Sequence, residues 1–213
     1  MRHIQFTLFA EGPTDRALLP ILDWAIRESI EPDTVGHEFL PKSELREEFT
    51  MAERLETAVK IFPCDILFVH RDADKQKPEL RYDEIGRAIA ELVAKGIAVP
   101  HVCVVPIRMT EAWLLLDESA IRRAAANPNG TEALHIPKVK QLETIPDPKA
   151  RLHEVLRNAS GKRGRRRASF DVQEAAALVP EFIASFVPLR QLGAFARLEA
   201  DLRKLSPSLS NTK

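Results

Sequence analysis

Two cysteines in 213 residues, Cys64 and Cys103, exclude a disulfide framework. Both sit in apolar runs, which suits small core residues in a reducing compartment. No Cys/His cluster has zinc spacing and the six histidines are scattered, so histidine-based metal chemistry has little support. No apolar stretch reaches the roughly twenty residues of a membrane span, and the chain enters a strand-like run directly after Met1. The expectation is therefore a cytoplasmic protein without a membrane partner. A P-loop is missing too: Gly161-Lys162 is followed by Arg163 in place of Ser or Thr, and the upstream glycine is lacking. The net charge of +0 gives no global argument for a polyanionic partner.

What is present is an ordinary globular composition, 45% hydrophobic and 29% charged, enough for a core without staples. Ile4 to Ala10 reads as a first strand, closed by Glu11-Gly12-Pro13-Thr14-Asp15. Thr14 can cap a following helix that carries Leu18, Leu22, Ala25 and Ile26 on one face. Pro20 predicts either a kink in that helix or a start closer to Pro20. A second strand is read around Val35 to Leu40, and a helix with Ala52, Leu55, Val59 and Phe62 follows. Ile66-Leu67-Phe68-Val69 has the continuous apolar character of a central parallel strand. The stripe Ile85, Ala88, Ile89, Leu92, Val93 predicts a helix stopped at Gly96, and Val102 to Ile107 reads as a fourth strand.

This alternation predicts an α/β fold with a mostly parallel four-stranded sheet flanked by helices. From Thr110 onward the pattern is mostly helical. Asn127-Pro128-Asn129-Gly130 marks a turn, and a helix with Leu152, Val155 and Leu156 follows Ile145-Pro146-Asp147-Pro148. Lys162 to Arg167 is expected as a mobile basic loop. Two closing helices use Phe182, Ile183 and Phe186, then Phe195, Leu198 and Leu202, with Pro180 expected at the start of the first. The expected organisation is a core over 1–117 and a helical extension over 118–213, with the basic loop at 160–168.

Ligands of open parallel sheets bind beyond the carboxyl ends of the strands. Glu11 follows the first strand, and Asp72 and Asp74 follow the third. If those strands are neighbours, three carboxylates share one edge, where they repel one another unless paired. A divalent cation removes that conflict. Magnesium, or manganese in its place, takes oxygen ligands and bridges to substrate phosphate, so the chemistry implied is phosphoryl transfer on a phosphodiester.

The Glu-Gly after the first strand and the Asp-x-Asp after the third resemble the signature of the Toprim superfamily, found in topoisomerases, bacterial primases, ribosomal RNA maturases and the nucleases of the OLD (overcoming lysogenization defect) group. Glu11 to Asp15, His70 to Asp74 and Met109-Thr110-Glu111-Ala112-Trp113-Leu114-Leu115 resemble more closely a family of small, stand-alone bacterial Toprim-like proteins related to that group. That likeness extends through Asn127 to Gly130 and Ser160 to Arg167. The resemblance implies a Rossmann-like Toprim fold with a helical C-terminal extension. It also implies a nuclease of DNA repair or phage defence, with Glu11 as general base or metal ligand and Asp72 and Asp74 as metal ligands. Asp15 stands where OLD-type sequences often have a second glutamate, which makes it a candidate ligand. Glu111, just after the fourth strand, is a candidate fourth catalytic carboxylate.

Each of these residues has a plainer reading. Glu11 and Asp15 suit a helix N-terminus, Asp72 and Asp74 suit a solvated turn, and Glu111 can cap the helix that buries Trp113. Arg71 and Arg108 are candidates for phosphate contact, with surface pairing as the alternative. In Lys162, Arg163, Arg165, Arg166 and Arg167, six positions carry five positive charges around Gly164. That density suits a nucleic-acid backbone, and an acidic protein partner is the competing explanation.

Two further functional classes stay open. One is a non-catalytic or regulated subunit that works with a separately encoded ATPase, since OLD-type nucleases usually carry their own. The other is a nucleotide-sugar transferase using Asp72 and Asp74, which leaves Glu11-Gly12 and the basic strip unexplained. A homodimer is among the assemblies the sequence allows.

Overall fold

Strands and helices alternate through the first half of the chain, and the computed structural model describes residues 1–209. Residues 210–213 of the expected extension lie outside the described residues. The order is β1 (His3–Ala10), α1 (Leu19–Ile30), β2 (Thr34–Pro41), α2 (Met51–Ile61), β3 (Ile66–His70), α3 (Pro78–Ala94) and β4 (His101–Val104). The four strands form one all-parallel sheet in the order β2-β1-β3-β4. The fold is α/β and Rossmann-like. β1 and β3 are neighbours, with Leu8 opposite Phe68 and Phe9 opposite Val69, so their carboxyl ends stand side by side. From β1 the chain steps outward to β2 on one side and then to β3 on the other, which makes the β1/β3 boundary the switch point of the sheet.

Period-two alternation sends Phe9, Leu67 and Val69 to one face, where they join Ala52, Leu55 and Ala58 of α2 and Ile85, Ala88 and Leu92 of α3 in one buried cluster. Phe6, Leu8, Ile66 and Phe68 face the other way, and the Phe6 and Phe68 rings meet edge-on with centroids 5.3 Å apart. Each such side chain contributes on the order of 2 kcal/mol by leaving water. His70 continues the second set and is fully buried.

Local chemistry sets the helix ends. Pro13–Leu18 forms a 3-10 turn, and α1 begins only at Leu19, with Pro20 in its first turn where the missing N–H has no partner to lose. This is the later start that Pro20 predicts. Thr50 and Glu53 form a reciprocal capping box at α2. Beyond α3, Gly96 takes φ 81° and lets Ile97 N–H return to Leu92 O at 3.0 Å.

The described chain divides into two compact units, 1–105 with the segment from Ala196 onward, and Pro106–Phe195. That division falls earlier than the boundary expected at 117 and returns most of the last helix to the sheet unit. The second unit contains α4 (Glu111–Leu114), α5 (Glu118–Ala124), α6 (Pro148–Ala159), α7 (Gly164–Ala168), α8 (Val172–Phe182) and the start of α9 (Gly193–Leu209). Its core includes Trp113, edge-on to Phe195 at 5.5 Å, with Ile121, Leu152, Val155 and Val179.

Two expectations change here. Pro180 lies in the last turn of α8 instead of starting a helix, because Asp171 caps the true start by accepting from the backbone N–H of Gln173 and Glu174 at 3.1 and 2.9 Å. The basic stretch expected as a loop is partly helical, as α7. Among the described residues no helix is long and apolar enough to cross a membrane.

Candidate functional site

β1 ends in Ala10, and Glu11 follows at the switch point. Gly12 is extended, at φ −147°, and no atom lies within 4 Å of where its Cβ would stand. Nothing in the chain's own packing therefore demands glycine there. The turn that follows brings the buried Asp15 back, so that its Oδ2 accepts from Gly12 N–H at 2.8 Å.

β3 ends in His70, whose Nδ1 lies 3.0 Å from Val104 O on β4. A carbonyl only accepts, so Nδ1 carries a proton and Nε2 is the nitrogen presented to the sheet edge. It stands 3.6 Å from Asp15 Oδ2 and 3.6 Å from Asp72 Oδ1. Adjacent strand ends thus bring Asp15 and Asp72 to the same imidazole.

The next residues belong to a second chain of charges. Arg71 Nε lies 2.5 Å from Glu11 Oε1. The pair is ionic only, because the N–H is not aligned for a hydrogen bond. Arg71 Nη1 pairs with Glu84 on α3. Arg81, one turn earlier on α3, places Nη1 3.2 Å from Glu84 Oε2 and Nη2 3.6 Å from Asp74 Oδ2. Its Nε donates to Asp72 O at 3.1 Å. The result is an alternating network, Glu11, Arg71, Glu84, Arg81, Asp74, beside the Asp15, His70, Asp72 cluster.

The residues predicted from sequence separate accordingly. Glu11, Asp15, Arg71 and Asp72 meet at the β1/β3 edge. Asp74 adopts a left-handed φ of 53° and turns to Arg81. Among the described residues no three His, Cys, Asp or Glu side chains are grouped to hold a metal ion as they stand. Arg81 and Glu84 escaped the sequence reading, although their i, i+3 spacing on the predicted third helix was a usable signal.

In the second unit, Glu111 begins α4 and faces Lys149 at 3.7 Å. Arg108 stands before α4 at φ 71°. Asn127 reaches the end of α6, just ahead of the basic strip: its Nδ2 donates to Ala159 O at 2.8 Å. Lys162, Arg163 and Arg167 line a pocket, whereas Arg165 and Arg166 are exposed and outside its lining. No protein-family model, curated protein or solved structure matches the chain.

Proposed function

We propose that the β1/β3 edge is a phosphoryl-transfer centre that uses magnesium or manganese to cleave nucleic-acid phosphodiesters. The observation that carries this reading is the convergence of Asp15 and Asp72 on His70 Nε2 at the switch point, with Glu11 at the same edge. The donor set fits a hard cation by chemistry, since its acidic members offer only carboxylate oxygen. Asp15, Asp72 and Glu11 would hold the ion, with Asp74 as the outer candidate. When bound, the ion would supply charge stabilisation for the phosphoryl oxygens.

The chain's own residues do the rest. Val104 O fixes the His70 ring and presents Nε2 to the edge. Arg71 pairs with Glu11 and is the cation this reading assigns to substrate phosphate. Gly12 leaves open space beside Glu11 for an approaching group.

Incubation of the purified protein with plasmid and oligonucleotides, with magnesium or manganese, tests the reading. Cleavage lost in both Glu11→Ala and Asp72→Ala supports it, and cleavage retained in both removes the assigned roles. Manganese binding, followed by electron paramagnetic resonance, provides a readout independent of turnover.

A second reading is a non-catalytic subunit acting with a separately encoded ATPase. It is favoured by the Arg71 and Arg81 pairs, which neutralise Glu11 and Asp74 without any ion. Absence of manganese binding together with co-purification of an ATPase would select it.

A further inference from the structure

We propose that the pocket between the α6–α7 turn and the segment at Glu132 binds a terminal phosphate, the monoester group of a nucleotide or of a nucleic-acid strand end. The proposal takes from the preceding section only that the ligand is a nucleotide or nucleic acid. It uses neither the cation nor the acidic edge.

The pocket holds about 420 Å³ and is bordered by Glu132, Asn158, Lys162, Arg163 and Arg167, with the Gly161 and Gly164 backbone completing it. That volume lies near the lower end of small-ligand sites, roughly 300–1,000 Å³. It suits one phosphate with its sugar better than a stretch of backbone. Three cationic side chains face one carboxylate, a balance matched to a monoester of about −2 charge.

Two of the cations are already positioned. Arg167 Nη2 donates to Asn158 Oδ1 at 3.0 Å, and Lys162 Nζ sits 4.8 Å from the Phe170 ring centroid. Among the described residues neither forms an ion pair, so both charges are available to an anion. Positioning before binding lowers the ordering cost.

The third cation, Arg163, meets Glu132 at 3.5 Å, with side chains 89% and 63% exposed. An ion pair that exposed is weak and gives way readily. The wall behind them is built, not incidental. Gly161 takes φ 64°, and a Cβ there would stand 3.1 Å from Asn127 Nδ2, which itself donates to Ala159 O. The buried Arg122 donates from Nη2 to Glu132 O at 2.6 Å. The Asn127 to Gly130 turn and the basic strip are thus two sides of one structure.

The test is fluorescence anisotropy with a labelled single-stranded 12-mer ending in phosphate or in hydroxyl, in EDTA so that cation chemistry plays no part. The phosphate-ended strand is expected to bind on the order of tenfold more tightly. Arg167→Gln should abolish that preference, and Arg165→Gln with Arg166→Gln should preserve it. Glu132→Gln frees Arg163 and should tighten binding roughly threefold, a gain that misfolding cannot produce.

Competition by AMP or inorganic phosphate at concentrations where adenosine has no effect assigns the site to the free nucleotide. Competition only by phosphate-ended strands assigns it to the strand end. Both support the proposal. Equal binding of the two strands overturns it while leaving nucleic-acid binding intact, and equal losses from all three arginines reduce the pocket to a general basic patch.

Discussion

Asp72 and Asp74, with only Ala73 between them, turn their carboxylates to different partners: Asp72 Oδ1 lies 3.6 Å from the buried His70, and Asp74 Oδ2 lies 3.6 Å from Arg81. Their side chains are 13% and 55% exposed. Asp72, the less exposed of the two, shares its imidazole with Asp15, so the two acids of the motif are expected to contribute unequally. Asp72→Asn should reduce manganese affinity and cation-dependent cleavage by about a hundredfold, while Asp74→Asn should cost about fivefold or less. Equal losses in a side-by-side titration would mean that Asp74 swings inward on metal binding.

Arg71 competes with any cation for Glu11. Removing its charge with Arg71→Gln should raise manganese affinity on the order of tenfold, since an opposite charge within 4 Å is worth a few kcal/mol at an effective dielectric of about 20. The same change leaves Glu11 and Glu84 without their shared partner and should cost about 1 kcal/mol of stability, because the pair is partly solvated. Calorimetric metal titration and urea unfolding of the same variant read the two effects separately. Weaker manganese binding in this variant would take Glu11 out of the ligand set.

His70 is held from both sides. It is fully buried, and its Nδ1 bonds Val104 O, which also accepts from Arg71 N–H at 3.1 Å. His70→Ala should destabilise the protein by about 2 kcal/mol or more through the cavity and the lost bond, measured by urea unfolding. A change below about 0.5 kcal/mol, the range of ordinary surface substitutions, would show that the ring does not brace the edge.

Much of the sheet unit was legible because its signals are one-dimensional. Ile66 to Val69 is apolar without interruption, and β3 is buried along its whole length. Of the predicted stripe, Ile85, Ala88, Ile89 and Leu92 became the packed face of α3, whereas Val93 is exposed. The Glu11 and Asp72 juxtaposition followed once β1 and β3 paired.

Side-chain direction was not legible. The left-handed backbone at Asp74 and the reach of Arg81 across to it depend on where α3 docks, which no local pattern encodes. Pro180 misled for a different reason. A proline in a helical pattern suggests a start, yet Asp171-Val172-Gln173-Glu174 carried the stronger capping signal. The basic strip read as a loop because its charges dominate its composition, while the contacts that order it, Asn158 and Phe170, lie outside it.

Tyr82 is the single tyrosine of the chain, so absorbance near 295 nm titrates it alone. Burial pushes its hydroxyl up from 10.0 to about 12, although Arg197 works in the opposite direction, with its guanidinium carbon 3.3 Å from the ring centroid. Cys103 is likewise raised by burial, from 9.0 to about 11. Both groups hold their protons more tightly folded than unfolded. Their contribution to stability is complete below pH 9 and is lost as pH rises through 11 and 12. The expected record is little tyrosinate absorbance at pH 10 to 11, then a steep rise as the sheet unit unfolds, with alkylation of Cys103 slow at pH 7.5. A smooth titration centred at 10.0, with the fold intact, would show the ring to be open to water.

Gly130 offers the sharpest test of the second unit. A Cβ there would stand 2.4 Å from Asn127 Nδ2 and 3.0 Å from Arg122 Nη1. Asn127 is committed to Ala159 O, and Arg122 is buried between Glu118 and Glu132 O, so neither side chain can yield without giving up a hydrogen bond. Gly130→Ala should therefore cost about 1–3 kcal/mol, read as a shift in the urea midpoint without a change in slope. Asn127→Ala should remove the clash as well as the bond, so the double variant is expected to lose less than the sum of the two single losses. Strict additivity in that cycle would mean that Asn127 and Gly130 do not meet.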